Sequence, residues 1–375
     1  MRIILVFMGG LSVKNKAVVL SIVAGTLGMG LISGCGTTTT NSSTPATSAA
    51  SSSNKIYNVD FVFTGYSEPY FAPMAQAVKQ AAKLFPNLNV KIISAHNSAS
   101  QEITDMNEAI ANNVNGIILN PINGSVTSAA QQAMNQKVPV IAIDRDVSSP
   151  TARIAFIGDK DVELGRLQTQ YAVQYLQSHH IPTPWNVVVL QGTEGSSTAI
   201  DRLKGAMEVL QPYINSGKVK IQLSQSADFS TSTAQQMMSE FLAKTSNIQL
   251  VVASNDAMAL GAITAMQNAN LKLGKDAFVV GADAQPQSLA DVQNGTQLDT
   301  VSHSPFIEAF WAVEAMENYL TNGTKPPSTF PNGNLVIPMT LVTKSNVNQI
   351  AGWGTPQVVP ALPYGKASPE PVSQN

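Results

Sequence analysis

The sequence is short of cysteine and of charge. One cysteine, Cys35, in 375 residues excludes an internal disulfide and a cysteine-built zinc site. Charged residues make up 12%, against a usual share of about 25%, so Asn, Gln, Ser and Thr take over the surface. A formal net charge of −2 leaves no basic footprint for nucleic acid. No P-loop, G-x-S-x-G or H-E-x-x-H sequence is present. His96, His179 and His180 have no carboxylate or cysteine at ligand spacing, so no metal and no other cofactor is expected. What remains is ordinary: 44% apolar residues, enough for a sizeable core, in a length that suits two domains better than one.

The position of the lone cysteine explains it. Arg2, Lys14 and Lys16 charge the first residues, Ala17–Ile32 is apolar and small, and the run ends Ser33-Gly34-Cys35. That is the order of a secretory signal peptide, and the apolar run is shorter than the ~20 residues of a membrane span. Ile32-Ser33-Gly34-Cys35 resembles the bacterial lipobox, which implies a lipid on Cys35 and a body held outside the cytoplasm at the membrane surface. Residues 36–55, rich in Thr, Ser and Asn, cannot bury apolar surface and read as a flexible tether.

From Tyr57 a βα rhythm sets in. Asn58–Phe63 reads as a strand. Phe71, Met74, Ala75, Val78, Ala82 and Phe85 then form one helical stripe. Strands follow at Val90–Ile93, Gly116–Leu119, Val140–Ile143 and Arg153–Ile157. A second series has strands at Asn186–Leu190, Val219–Leu223, Leu250–Ala253, Phe278–Val280 and Gln297–Ser302, with helices between most of them and one from Pro305 to about Asn322. Leu335–Leu341 reads as one extended stretch. The proline-rich tail from Trp353 is expected to lack regular structure. Alternating strands and helices imply α/β architecture with parallel sheets.

The apolar run Val140–Ile143 stops abruptly at Asp144 and Arg145. In open α/β sheets, ligands bind beyond the carboxyl ends of the strands. Other strands end in Asn255-Asp256, Asp283 and Ser302-His303, and the first is followed by Glu68, Pro69, Tyr70 and Phe71. Carboxylates, amides and arginine beside aromatic rings suit a sugar: the polar groups satisfy hydroxyls and the rings cover C–H patches. Charge-assisted hydrogen bonds contribute roughly 1.5–3 kcal/mol each, so two or three with stacking reach the roughly 8 kcal/mol of a micromolar site. A structural ion pair at Asp144–Arg145 is the competing reading.

Taken together, Ser67-Glu68-Pro69-Tyr70-Phe71, Pro139 through Arg145, Gln191-Gly192 with Arg202 and Gly205, Ala227-Asp228-Phe229, Asn255 through Ala262, Val280 through Asp283 and Leu341 through Lys344 resemble the ribose/galactose-type periplasmic binding proteins. Those are substrate-binding components of sugar ABC transporters, and the likeness runs from about Val59 to Lys344. It implies a type I fold: two similar three-layer αβα lobes, with parallel sheets, joined by a three-strand hinge. The lobes would be residues 56–159 plus 304–337 and residues 160–303 plus 338–352. The three crossings would fall near Asp159, His303 and Ile337, and residues 353–375 would form the tail.

The resemblance also implies roles. Phe71 and Phe229 would sandwich a monosaccharide ring, with Tyr70 beside them. Glu68, Asp144 and Arg145 would hold hydroxyls from the first lobe, and Arg202, Asn255 and Asp283 from the second. His303 stands where the family usually has Gln or Asn, and Glu68 where ribose binders carry Asn; both depart from the ribose pattern and leave pentose or hexose open. No enzyme activity is expected. The partners implied are the sugar, an ABC permease and the membrane, for a monomer. A sensory or quorum-signal binder on the same fold is one alternative. A glycoside hydrolase using Glu68, Asp144 or Asp283 is another, disfavoured because nothing in the sequence marks one carboxyl as protonated.

Overall fold

The computed structural model describes residues 55–353 and 358–365. The leader, Cys35 and most of the tether lie outside the described residues. The chain builds two six-stranded sheets. The first contains β1 (Tyr57–Phe63), β2 (Leu88–Ser94), β3 (Gly116–Asn120), β4 (Val140–Ile143) and β5 (Ala155–Gly158), with a late strand β11 (Asn334–Val336), in the order β11-β5-β4-β3-β1-β2. The second contains β6 (Trp185–Gln191), β7 (Val219–Ser226), β8 (Leu250–Ala253), β9 (Phe278–Val280) and β10 (Asp299–Ser302), with β12 (Thr340–Thr343), in the order β12-β10-β9-β8-β6-β7. All pairings are parallel except that β12 runs antiparallel along β10.

Helices cover both faces, as a parallel sheet requires. On the first sheet, α1 (Phe71–Ala82) and α9 (Pro305–Asn322) bury Phe71, Met74, Val78, Phe306 and Trp311 against one face. On the other, α2 (Ala99–Ala111) and α3 (Thr127–Asn135) bury Met106, Ile110 and Ala130. The second sheet is covered by α6 (Thr231–Leu242) and α7 (Asp256–Asn268) on one side and by α4 (Asp161–Ser178) and α5 (Ser197–Asn215) on the other. Serine, which accepts from a free backbone N–H, caps α2, α5 and α6 through Ser98, Ser196 and Ser230. Packing of α4 on α5 depends on two glycines: a Cβ on Gly165 would lie 2.1 Å from the Arg202 carbonyl oxygen, and one on Gly205 2.0 Å from that of Val162.

Three differences from the sequence reading have physical causes. The stretch 335–341 is not one strand but two, β11 and β12, in different sheets with Pro338 between them. Helix α8 (Pro286–Asn294) was not foreseen, since Leu289 and Val292 are its only large apolar residues; Pro286 starts it and Gly295, at φ 87°, ends it. The tail has no helix or strand among its described residues, yet Val359 and Leu362 are buried in the core of the first sheet.

Candidate functional site

Nine of the singled-out side chains line one cavity, nearly filled by them with about 10 Å³ left free, at the carboxyl ends of the strands. Glu68, Tyr70 and Phe71 come from the β1–α1 connection, and Asp144 and Arg145 follow β4. Arg202 comes from α5, Phe229 from the β7–α6 loop, Asn255 from the start of α7 and Asp283 from the loop after β9. His303 is the tenth; it does not line the cavity but lies behind it, 3% exposed.

The backbone is held in a costly conformation where the site needs it. Asp144, Phe229 and Asp283 have φ of 61°, 52° and 100°, a region a non-glycine residue enters only when surrounding structure imposes it, at a cost of order 1–3 kcal/mol. Such residues cluster at binding sites. Phe229 reaches its place because Gly192 leaves room: a Cβ there would sit 2.0 Å from the phenyl ring.

Arg145 is the centre of the first half. Its Nη2 donates to Glu68 Oε2 at 2.6 Å, its Nη1 to the Ile122 carbonyl at 3.4 Å, and its Nε lies 3.7 Å from Asp144 Oδ2. Its guanidinium carbon is 5.1 Å from the Phe71 ring centre and 5.0 Å from that of Phe229, within cation–π range of both. The two rings expected to enclose a ligand thus share Arg145 between them. Burial pushes Glu68 up to about 7, against the pull of Arg145. Asp144 accepts from Asn120 Nδ2 at 3.0 Å, and burial raises it despite Arg145.

Arg202 organises the second half and is saturated. Its Nε donates to Asp161 at 2.7 Å, and its Nη1 to Asp283 Oδ1 and to the Ser254 carbonyl, both at 2.9 Å. Its Nη2 lies 3.6 Å from Asp159 Oδ2. Burial pushes Asp283 up, but Arg202 and a bond from His303 outweigh it, so this carboxyl titrates below its ordinary value. His303 has Nε2 2.8 Å from Asp283 Oδ1 and Nδ1 3.3 Å from Asp159 Oδ2. Burial opposes its charge, and the two aspartates prevail, raising its pKa. The ring stacks on Tyr70 at 4.8 Å, whose hydroxyl is 2.9 Å from Nδ1 and donates to Glu308 at 3.3 Å. Asn255 uses its Oδ1 to cap α7, leaving its Nδ2 as the group it can offer the cavity.

Several contributors had not been singled out. Thr198 lines the cavity and donates to the Asp144 carbonyl at 3.3 Å, and Ser197 Oγ accepts from the Asp146 N–H at 2.8 Å. The Gly124 N–H donates to the Gly195 carbonyl at 3.1 Å. These bonds join the connections after β3 and β4 to the first turn of α5 and the loop before it, so the halves meet around the cavity. Asp159 and Asp161 follow β5, where the strand-end rule that picked out Asp144 points equally well. Glu308, inside α9, carries no such signal.

Comparison with known proteins identifies the family and its fold. The periplasmic binding protein domain model matches residues 59–325. The chain is 30% identical over 305 residues to a galactofuranose-binding protein of Escherichia coli K12, covering 79% of this chain and 93% of that one. It is 27% identical over 280 residues to a ribose import binding protein of Bacillus subtilis 168, covering 74% and 86%. A solved galactofuranose-binding protein superposes with a TM-score of 0.71 at 28% identity, covering 78% of this chain and 96% of that one. The family works outside the cytoplasm, and its relatives here are binding proteins. The chain belongs to the periplasmic binding protein family, among the sugar-binding proteins of ABC transporters.

Proposed function

We propose that this protein is the extracytoplasmic binding subunit of an ABC importer and captures one monosaccharide in the cavity between its two sheets. The observation that carries the reading is the convergence of Glu68, Phe71, Asp144 and Arg145 from one half with Phe229, Asn255 and Asp283 from the other on a single small cavity. These side chains nearly fill the cavity, which keeps only about 10 Å³ free, so a sugar ring enters only when they part. Residues 56–159 plus 304–337 form one lobe and residues 160–303 plus 338–352 the other. Because contacts come from both, the closed form binds more tightly, and that differential affinity drives closure. In this reading the ring enters between Phe71 and Phe229, Arg145 gives up part of its contact with them, and its guanidinium turns to the hydroxyls with Asp144. The relatives bind galactofuranose and ribose, and a furanose ring or pentose is the expected class. A lipid on Cys35 holds the protein at the membrane, beside its permease.

Thermal-shift and calorimetric titration with D-ribose, D-xylose, L-arabinose and methyl β-D-galactofuranoside tests this. At least one is expected to raise the melting temperature and bind with a micromolar Kd; no response to any member of a pentose, hexose and polyol panel refutes it. Glu68 and Asp144, both raised by burial, share that feature with a glycoside hydrolase acid. The short bond of Glu68 to Arg145 favours a binding role, and release of sugar from aryl glycosides would reverse that choice.

A further inference from the structure

After β12 the chain first packs on the second sheet's side, where Val347 and Ile350 meet Leu289 and Val292 of α8. Further on it belongs to the first sheet's side: Val359 and Leu362 are buried there, and the Trp311 indole N–H of α9 donates to the Pro360 carbonyl at 2.7 Å. Trp353 stands between these two anchorages and touches both halves of the site. Its ring meets that of Tyr70 edge-on at 5.2 Å. Its Nε1 donates to the Asp283 carbonyl at 3.1 Å.

Both contacts fall where the site needs support. Asp283 and Ala284 have φ of 100° and 53°, so their turn must be held by its surroundings, and the indole N–H grips the main chain of the residue whose carboxylate meets Arg202. Tyr70 is stacked on His303, and Trp353 bounds it from another direction. Trp353 lies beyond the segment matched by the family model, which ends at residue 325.

We propose that Trp353 is a positioning residue of the cavity. It fixes Tyr70, from the first half, and the Asp283 turn, from the second, in one joint geometry, and the segment anchored by Val359 and Leu362 keeps it in place. The expected effect on affinity rests on the sugar-binding reading; the effect on the two loops does not.

Two variants of the full chain separate the contacts. Trp353→Phe keeps an aromatic ring against Tyr70 but loses the N–H; Trp353→Ala loses both. In amide hydrogen exchange without sugar, Trp353→Phe is expected to speed exchange at residues 281–285 by about 2- to 10-fold, the range of one net hydrogen bond, and to leave residues 66–72 unchanged. Trp353→Ala is expected to speed both, with melting temperatures within a few degrees of wild type. Calorimetric titration with D-ribose and methyl β-D-galactofuranoside is expected to give a Kd weakened by about 3-fold or more in Trp353→Ala, in keeping with the loss of an aromatic pair. Wild-type exchange in both variants overturns the proposal, as does altered exchange with an unchanged Kd. If neither sugar binds the wild type, the sugar reading fails on these probes while the exchange data still decide the role of Trp353.

Discussion

The two arginines of the cavity are bonded in opposite ways. Arg202 has a carboxylate or carbonyl partner for Nε and Nη1 and one more acidic side chain, Asp159, 3.6 Å from Nη2. Arg145 has one short ion pair, with Glu68, a long bond to a carbonyl, and an Nε whose nearest carboxylate is 3.7 Å away. The rest of its guanidinium lies against two phenyl rings. A saturated cation has little left for a ligand; a cation held mainly by ring faces can turn to hydroxyls at small cost. The second half is therefore a rigid frame, and the first half supplies the adaptable donor. The sequence motif makes the two arginines look equivalent, and only the carboxylates around Arg202, brought in from after β5, show that they are not.

The contrast is open to breakage. Arg202→Ala strands Asp161, Asp283 and Asp159 in the interior and is expected to cost about 3–5 kcal/mol, as removal of one partner of a buried pair does. Arg145→Ala is expected to cost about 1–3 kcal/mol, because Glu68, already raised to about 7, can take up a proton. Urea unfolding of both variants measures this, and equal losses would abolish the distinction. Next in size, Asp144→Ala is expected to remove sugar-induced thermal stabilisation while the sugar-free melting temperature stays within a few degrees. Collapse of the sugar-free protein instead would mean that Asp144–Arg145 is a structural pair.

The last contrast is the dependence of stability on pH. A carboxyl raised on folding binds its proton more tightly in the native state, so stability falls as pH climbs from its unfolded to its folded value. For Glu68 that window is 4.5 to about 7; for Glu102 it is 4.5 to about 8, and for Asp256 3.8 to about 8. His303, also raised, stabilises fully below 6.5 and loses its contribution as pH rises through its folded value. Asp283 is depressed, so its contribution is present above 3.8 and lost on acidification. The urea midpoint is thus expected to be higher at pH 5 than at pH 8.5. Glu68→Gln should flatten the slope between pH 4.5 and 7, whereas Asp283→Asn should remove the acid limb and also shrink the His303 contribution above 6.5.

Much of this was legible beforehand. Buried strands such as Phe278–Val280 and the helical stripe of α1 follow from apolar spacing alone, and parallel strands bring their carboxyl ends to one edge. That is why Asp144, Asn255 and Asp283 could be gathered from distant stretches. The assignment of β11 and β12 to different sheets could not be read, because an extended pattern does not name its neighbour. Nor could the withdrawal of His303 behind the cavity, where the Tyr70 hydroxyl and Asp283 hold its two ring nitrogens. Trp353 was hidden by the prolines around it, which mark a lack of regular structure but say nothing about docking.

The late arrival of β11 and β12 bears on how the molecule is made. One completes an edge of the first sheet, the other an edge of the second, and only residues 337–339 separate them. The first sheet lacks its last strand until residue 336 has been made and the second until residue 343, so both edges are closed only near the end of synthesis. One ten-residue stretch, 334–343, thus seals an exposed edge of each sheet, and its removal would leave both edges open to pairing with another chain.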